Sequence, residues 1–176
     1  MSKYRFEATL STRSIDKMIK DLNNYKENIL QKKLELLVKT LAEKGVEIAQ
    51  NNIVTYDAIF TTELINSIHT RKKSSSDKDT AIFYVVADSK HAVFVEIGTG
   101  QMGEEGGYPY EFPEGVEWKY NEGKTIFEVA PGEYGWFYPK NGKWYFTQGM
   151  PARPFMYETN IELFSLVEKT AKEVFG

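Results

Sequence analysis

An α+β fold is predicted by three features of this 176-residue chain. A helical apolar repeat runs for about forty residues from Ser14, two strand-like stretches flank a polar loop at 74–79, and a late aromatic segment carries hairpin-turn chemistry. Helices and strands that cluster separately along the chain favour α+β over an alternating α/β sheet. The expected architecture is a long broken N-terminal helix, a small antiparallel sheet with a β-hairpin insert, a short central helix and a C-terminal helix.

At the front, Tyr4, Phe6, Ala8 and Leu10 alternate with Arg5, Glu7 and Thr9, which predicts a short strand. Ile15, Met18, Ile19 and Leu22 then follow helical spacing, continued by Ile29/Leu30, Leu34, Leu37/Val38, Leu41, Ile48/Ala49 and Ile53. Unbroken, this helix would be roughly 55–60 Å long, more than a small domain covers, so a break is expected at Asn23-Asn24. Its second piece, about 25–54, carries Lys32, Lys33, Glu35, Lys39, Glu43, Lys44 and Glu47 as an ordinary solvated face. Gly45 inside it costs about 1 kcal/mol relative to alanine, which implies another backbone crossing there. Residues 61–68 predict a turn of helix running into a strand. The β-branched and aromatic run 80–87 predicts a second strand, pairing antiparallel with 67–73.

The densest apolar stretch follows. Ala92, Val93, Phe94, Val95 and Ile97 surround one carboxylate, Glu96, and stop at Gly98. A two-turn helix is predicted, capped by Asp88 or Ser89 and ended by Gly98 at positive φ; a buried strand is the alternative for so short a run. Thr99, Gly100 and Gly103 then leave the backbone free to turn, and 102–115, rich in glycine, proline and acid, predicts a mobile loop. The insert at about 101–149 holds Trp118, Trp136 and Trp144. Two hairpins are predicted in it: 116–120 with 125–129, and 136–138 with 143–146 across Asn141-Gly142, a type I′ turn pair. The last helix should start near Pro154 and bury Ile161, Phe164, Val167, Ala171 and Val174 or Phe175.

Length and composition predict one domain over 1–176 and exclude several function classes. With 41% hydrophobic and 27% charged residues the chain reads as soluble, and no apolar run approaches the roughly 20 residues that span a bilayer. The N-terminus lacks a signal-peptide core and there is no cysteine, so synthesis in the cytoplasm is expected. A net charge of −3 argues against a nucleic-acid grip as the main task, leaving non-specific DNA contact at most. The one dense basic patch, Arg71-Lys72-Lys73, reads as a solvated hairpin loop.

Residues 98–103 match the letters G-x-G-x-x-G, but Glu104, Glu105 and Pro109 after them neither open a phosphate-binding helix nor tolerate phosphate, so no cofactor is expected. Only two histidines occur, and serine in a G-x-S-x-G elbow is absent. Glu104 and Glu105 beside Glu96 lack the ligand spacing of a hard-cation site and read as flexible acid, with a hydrolase using carboxylates around Glu96 and Glu104 as the lesser alternative. Glu96 should face water or hydrogen-bond the following loop, and Arg153, lone in an apolar stretch, is its candidate ion-pair partner. The insert's aromatics fit core and subunit packing, or alternatively a carbohydrate- or peptide-binding face.

Ala92, Phe94, Val95, Glu96, Gly98 and Thr99, followed after the insert by Ala152, Arg153, Pro154 and Phe155, resemble the tail-component family of tailed bacteriophages. These are lambda-like head-tail joining and tail-completion proteins of the virion neck; His91 stands where they usually carry an aromatic. The resemblance implies a non-enzymatic structural protein of a phage or prophage virion. It implies assembly into a homo-oligomeric ring, commonly sixfold, between a portal-side connector and tail-tube proteins. Structural or interface roles are then expected at Glu96, Gly98, Thr99, Gly100, Arg153, Pro154 and Phe155, and at Trp136 and Trp144 of the insert.

Overall fold

The computed structural model describes residues 4–58, 62–75, 80–112 and 114–176. Its α+β elements run in the order α1 (Thr12–Tyr25), a π-helical turn (Lys26–Leu30), α2 (Gln31–Thr55), α3 (Thr62–Asn66), β1 (Ile68–Lys73), β2 (Ile82–Ala87), α4 (Ala92–Ile97), α5 (Gly100–Gly106), β3 (Phe127–Ala130), β4 (Glu133–Lys140), β5 (Lys143–Thr147) and α6 (Phe155–Phe175). Two compact units form. One contains Met1–Ile48, His69–Val86 and Asn160–Gly176; the other contains Ala49–Ile68 and Ala87–Thr159.

In the first unit, residues 4–9 are not a strand. Tyr4 and Phe6 instead lay their rings against Tyr25, with centroids 4.8 and 5.6 Å away, so the alternation serves ring packing. Ser11 caps α1, its hydroxyl accepting from the Ser14 N–H at 3.3 Å. No residue of α1 is buried. The expected break at Asn23-Asn24 is absent: helical backbone continues through the π turn, where the Gln31 N–H reaches the Lys26 carbonyl.

Part of the α2 charged face is paired in this unit. Lys44 donates to Thr170 at 2.9 Å and Glu173 at 3.1 Å, Lys33 donates to the Val174 carbonyl at 2.9 Å, and Glu35 pairs with Lys72. Lys72 thus sits on β1 and not in a loop; residues 76–79, where the rest of the polar loop was expected, lie outside the described residues. On α6, Ile161, Phe164 and Val167 are exposed, Phe164 at 74%, whereas Thr170 is fully buried. The expected inward face is therefore wrong for those three residues. The helix is rotated so that Lys44 reaches the Thr170 hydroxyl.

Gly45 is buried, and side chains, not a backbone, press on it. A methyl group there would lie 2.7 Å from Val85 Cγ2 and 2.9 Å from Leu163 Cδ1. Gly45→Ala gains about 1 kcal/mol of helix propensity but overpacks two branched side chains at about 1–3 kcal/mol. A net loss of about 1 kcal/mol is expected in denaturant unfolding; a gain would mean that Val85 and Leu163 move aside freely.

The second unit contains the β3-β4-β5 sheet. β4 and β5 pair antiparallel from Trp136↔Thr147 to Lys140↔Lys143, and Asn141 and Gly142 turn at φ 53° and 73°, as a type I′ hairpin requires. The other predicted hairpin does not form: residues 116–119 are irregular, and β3 pairs with β4 through Phe127↔Gly135 and Ala130↔Glu133. Among the described residues no helix is long and apolar enough to cross a membrane.

Candidate functional site

The two sequence stretches that carry the family resemblance meet in the second unit. Helix α4 begins after Ser89, whose hydroxyl accepts from the His91 N–H at 3.2 Å, and ends at Gly98 with φ 88° and ψ 170°. Thr99 is extended and exchanges both backbone hydrogen bonds with Met150, at 2.9 and 3.0 Å. Three residues on, the Arg153 N–H donates to the Val95 carbonyl at 2.9 Å. Pro154 and Phe155 are then buried, Phe155 completely, and α6 starts.

Glu96 closes the arrangement. Its Oε2 accepts from the Met156 N–H at 2.9 Å and its Oε1 from the Tyr157 N–H at 3.0 Å, so a carboxylate sixty residues upstream caps the first turn of α6. The Tyr108 hydroxyl adds a third donor at 3.2 Å. Burial raises the Glu96 carboxyl above its usual range; these three bonds pull it back and the nearby Glu158 charge pushes it further up. Burial, and then the Glu96 charge, push the Tyr108 hydroxyl up as well, which keeps it a donor. The expected bonding of Glu96 to its own following loop is thus replaced by bonding to α6.

Within the chain, Arg153 and Glu96 form no ion pair. The Arg153 Nε donates to the Tyr56 carbonyl at 3.1 Å, and its buried Nη1 has no hydrogen-bond partner among the described residues. Glu158 accepts from the Tyr56 hydroxyl and, at 3.4 Å, from Tyr110.

Residues 100–106 are helix α5, where free turning and a loop were expected. Backbone bonds hold it from both sides: Gly100 N–H to the Tyr120 carbonyl at 2.8 Å and Met102 N–H to the Gln148 carbonyl at 3.1 Å. After it, Tyr110 stacks on Tyr157 with centroids 3.6 Å apart, and Phe112 stacks on Tyr108. Residues 100–112 are built into the fold, which corrects the mobile-loop expectation over that span. Gln101, unremarkable in the sequence, uses its whole amide: Nε2 donates to Glu105 and the Gly132 carbonyl, while Oε1 accepts from the Tyr134 N–H and Gln148.

Beside α4 lies a cleft of about 680 Å³. Phe94, Trp118 and Trp136 wall it, and Lys119, Lys124 and Lys140 line it. Trp118 is fixed by Nε1 donating to the Gly98 carbonyl at 3.1 Å and packs on Phe94 at 5.7 Å. Lys124 sits 5.7 Å over Trp136. Gly100 holds φ 66°, and a methyl there would overlap the Gln148 carbonyl oxygen and lie 2.7 Å from the Trp136 ring, so glycine fits there. Trp144, also singled out, is not in the cleft; it is 70% exposed opposite Pro139.

Chemically, both oxygens of Glu96 are spent on N–H groups, and no cluster of three or more His, Asp or Glu suited to a metal ion occurs among the described residues. The site can hold two chain segments together and offer an aromatic, lysine-lined recess. Compared with family models, curated proteins and solved structures, the chain matches none.

Proposed function

We propose that this chain is a non-enzymatic structural protein of a tailed phage or prophage, acting in head-tail joining or tail completion by closing into a ring in the virion neck. The observation that carries the reading is the Glu96 cap on α6. The two stretches resembling the tail-component family, far apart in sequence, form one bonded unit, as residues of a shared structural motif should. Exposed Ile161 and Phe164 on α6 add apolar surface of the kind that subunit contacts cover. In this reading the protein is made in the host cytoplasm and meets a portal-side connector and tail-tube proteins, with the same surface repeated by rotation. The exposed Trp144 and the aromatic cleft favour a second reading, a carbohydrate- or peptide-binding module.

Deleting the gene from the phage or prophage that encodes it tests the first reading. Heads and tails are expected to accumulate unjoined, with complementation restoring infectious particles that contain the chain by mass spectrometry. Normal particle yield without it, or its absence from purified particles, sinks the proposal.

A further inference from the structure

The cleft is apolar within and basic in its lining, on a chain whose net charge is −3. Lys119, Lys124 and Lys140 are all exposed, and none makes an ion pair among the described residues; Glu122 is the one carboxylate beside them. The same unit carries the inverse surface just upstream. Glu111, Glu114 and Glu117 are exposed, with no ion pair among the described residues, and Val116 between them is 45% exposed. A solvated charge alone is ordinary. An apolar side chain flanked by carboxylates, on the chain that also offers an aromatic recess lined by as many lysines, is a complementary pair of surfaces.

We propose that the cleft of one copy receives the 114–117 segment of another, Val116 entering between Trp118 and Trp136 while Glu111, Glu114 and Glu117 face Lys119, Lys124 and Lys140. This rests on the ring reading and names the contact between neighbours. Glu117 directly precedes Trp118, so donor and acceptor surfaces are continuous along the chain and each copy both gives and receives. The charges steer and orient the contact; burial of Val116 and the indole faces supplies its apolar part.

Two full-length variants test it, Lys119→Glu/Lys124→Glu/Lys140→Glu and Glu111→Lys/Glu114→Lys/Glu117→Lys. All six positions are exposed, so both should fold, which circular dichroism checks. Sedimentation of the wild type should show self-association that weakens with salt. Each variant alone should lose about tenfold or more in association, and mixing the two should restore it, because each then meets its complement. Undiminished association of either variant, no recovery on mixing, or a wild type monomeric at every concentration overturns the contact. If the variants also enter particles normally, the contact falls while the ring reading stands; if the wild type is missing from particles, the ring reading falls by its own test.

Discussion

Gly98→Val is expected to cost about 3–5 kcal/mol, a large share of the stability of an ordinary domain. Two effects add. Gly98 holds φ 88° with ψ 170°, a region essentially confined to glycine, at about 1–3 kcal/mol for any other residue. A side chain would also meet backbone: the first added carbon lies 2.8 Å from the Ala152 nitrogen and 2.9 Å from the Met150 oxygen, at the junction of α4 with the segment leading to α6. Backbone there cannot yield as a flexible side chain would, and its displacement costs a further few kcal/mol. For a chain of this size the melting temperature should fall on the order of 10 °C. Gly107→Ala is the control, since Gly107 has φ 62° but open space around its α-carbon. Similar losses in the two variants would show that crowding at Gly98 counts for nothing.

Glu96→Ala should cost about 3 kcal/mol, because it strands the N–H groups of Met156 and Tyr157 and removes a negative charge from the N-terminus of α6. Glu96→Gln keeps one acceptor and should cost about half as much. The pH dependence of that cost has a definite sign. The folded carboxyl titrates above its usual value of 4.5, so between that value and the raised one the native state binds more protons than the unfolded state. The group's contribution is full below pH 4.5 and declines as pH rises through the raised value. The stability difference between wild type and Glu96→Gln should therefore be largest in acid and narrow toward neutrality, other carboxylates cancelling in the comparison. A difference that widens with pH would mean that hydrogen bonding to the carboxylate outweighs its burial.

What the sequence revealed about this site was local. Helix α4 and its glycine stop were legible because a short apolar run and a residue able to take positive φ lie side by side, and Asn141-Gly142 announced its turn in the same way. Helix α5 was not, since three glycines in seven residues oppose a helix, and distant groups, among them the carbonyls of Tyr120 and Gln148, help to hold it. The partner of Glu96 was missed for a related reason: backbone N–H groups carry no side-chain signature, so the arginine nearby drew the inference instead. On α6, threonine at 170 is buried while Phe164 is exposed, an inversion that hydrophobic periodicity cannot anticipate because it ranks the two the other way. The meeting of Trp118 with Trp136 along one cleft depends on contacts between irregular backbone and sheet, beyond any spacing rule.

The π turn at Lys26–Leu30 gives the N-terminal helix a place where one extra residue is absorbed. A π turn is an α-helix with one residue too many, and each residue of a helix advances the side chains by about 100°. Deleting a single residue within it, Asn28 for example, would let the backbone relax to continuous α-helix while leaving Ile15, Met18, Ile19 and Leu22 facing nearly as before relative to α2, because the wider turn already takes up the extra residue's advance. One codon lost at this point thus shortens the chain without re-aiming that apolar stripe, whereas the same loss elsewhere in the helix would turn it by about 100°.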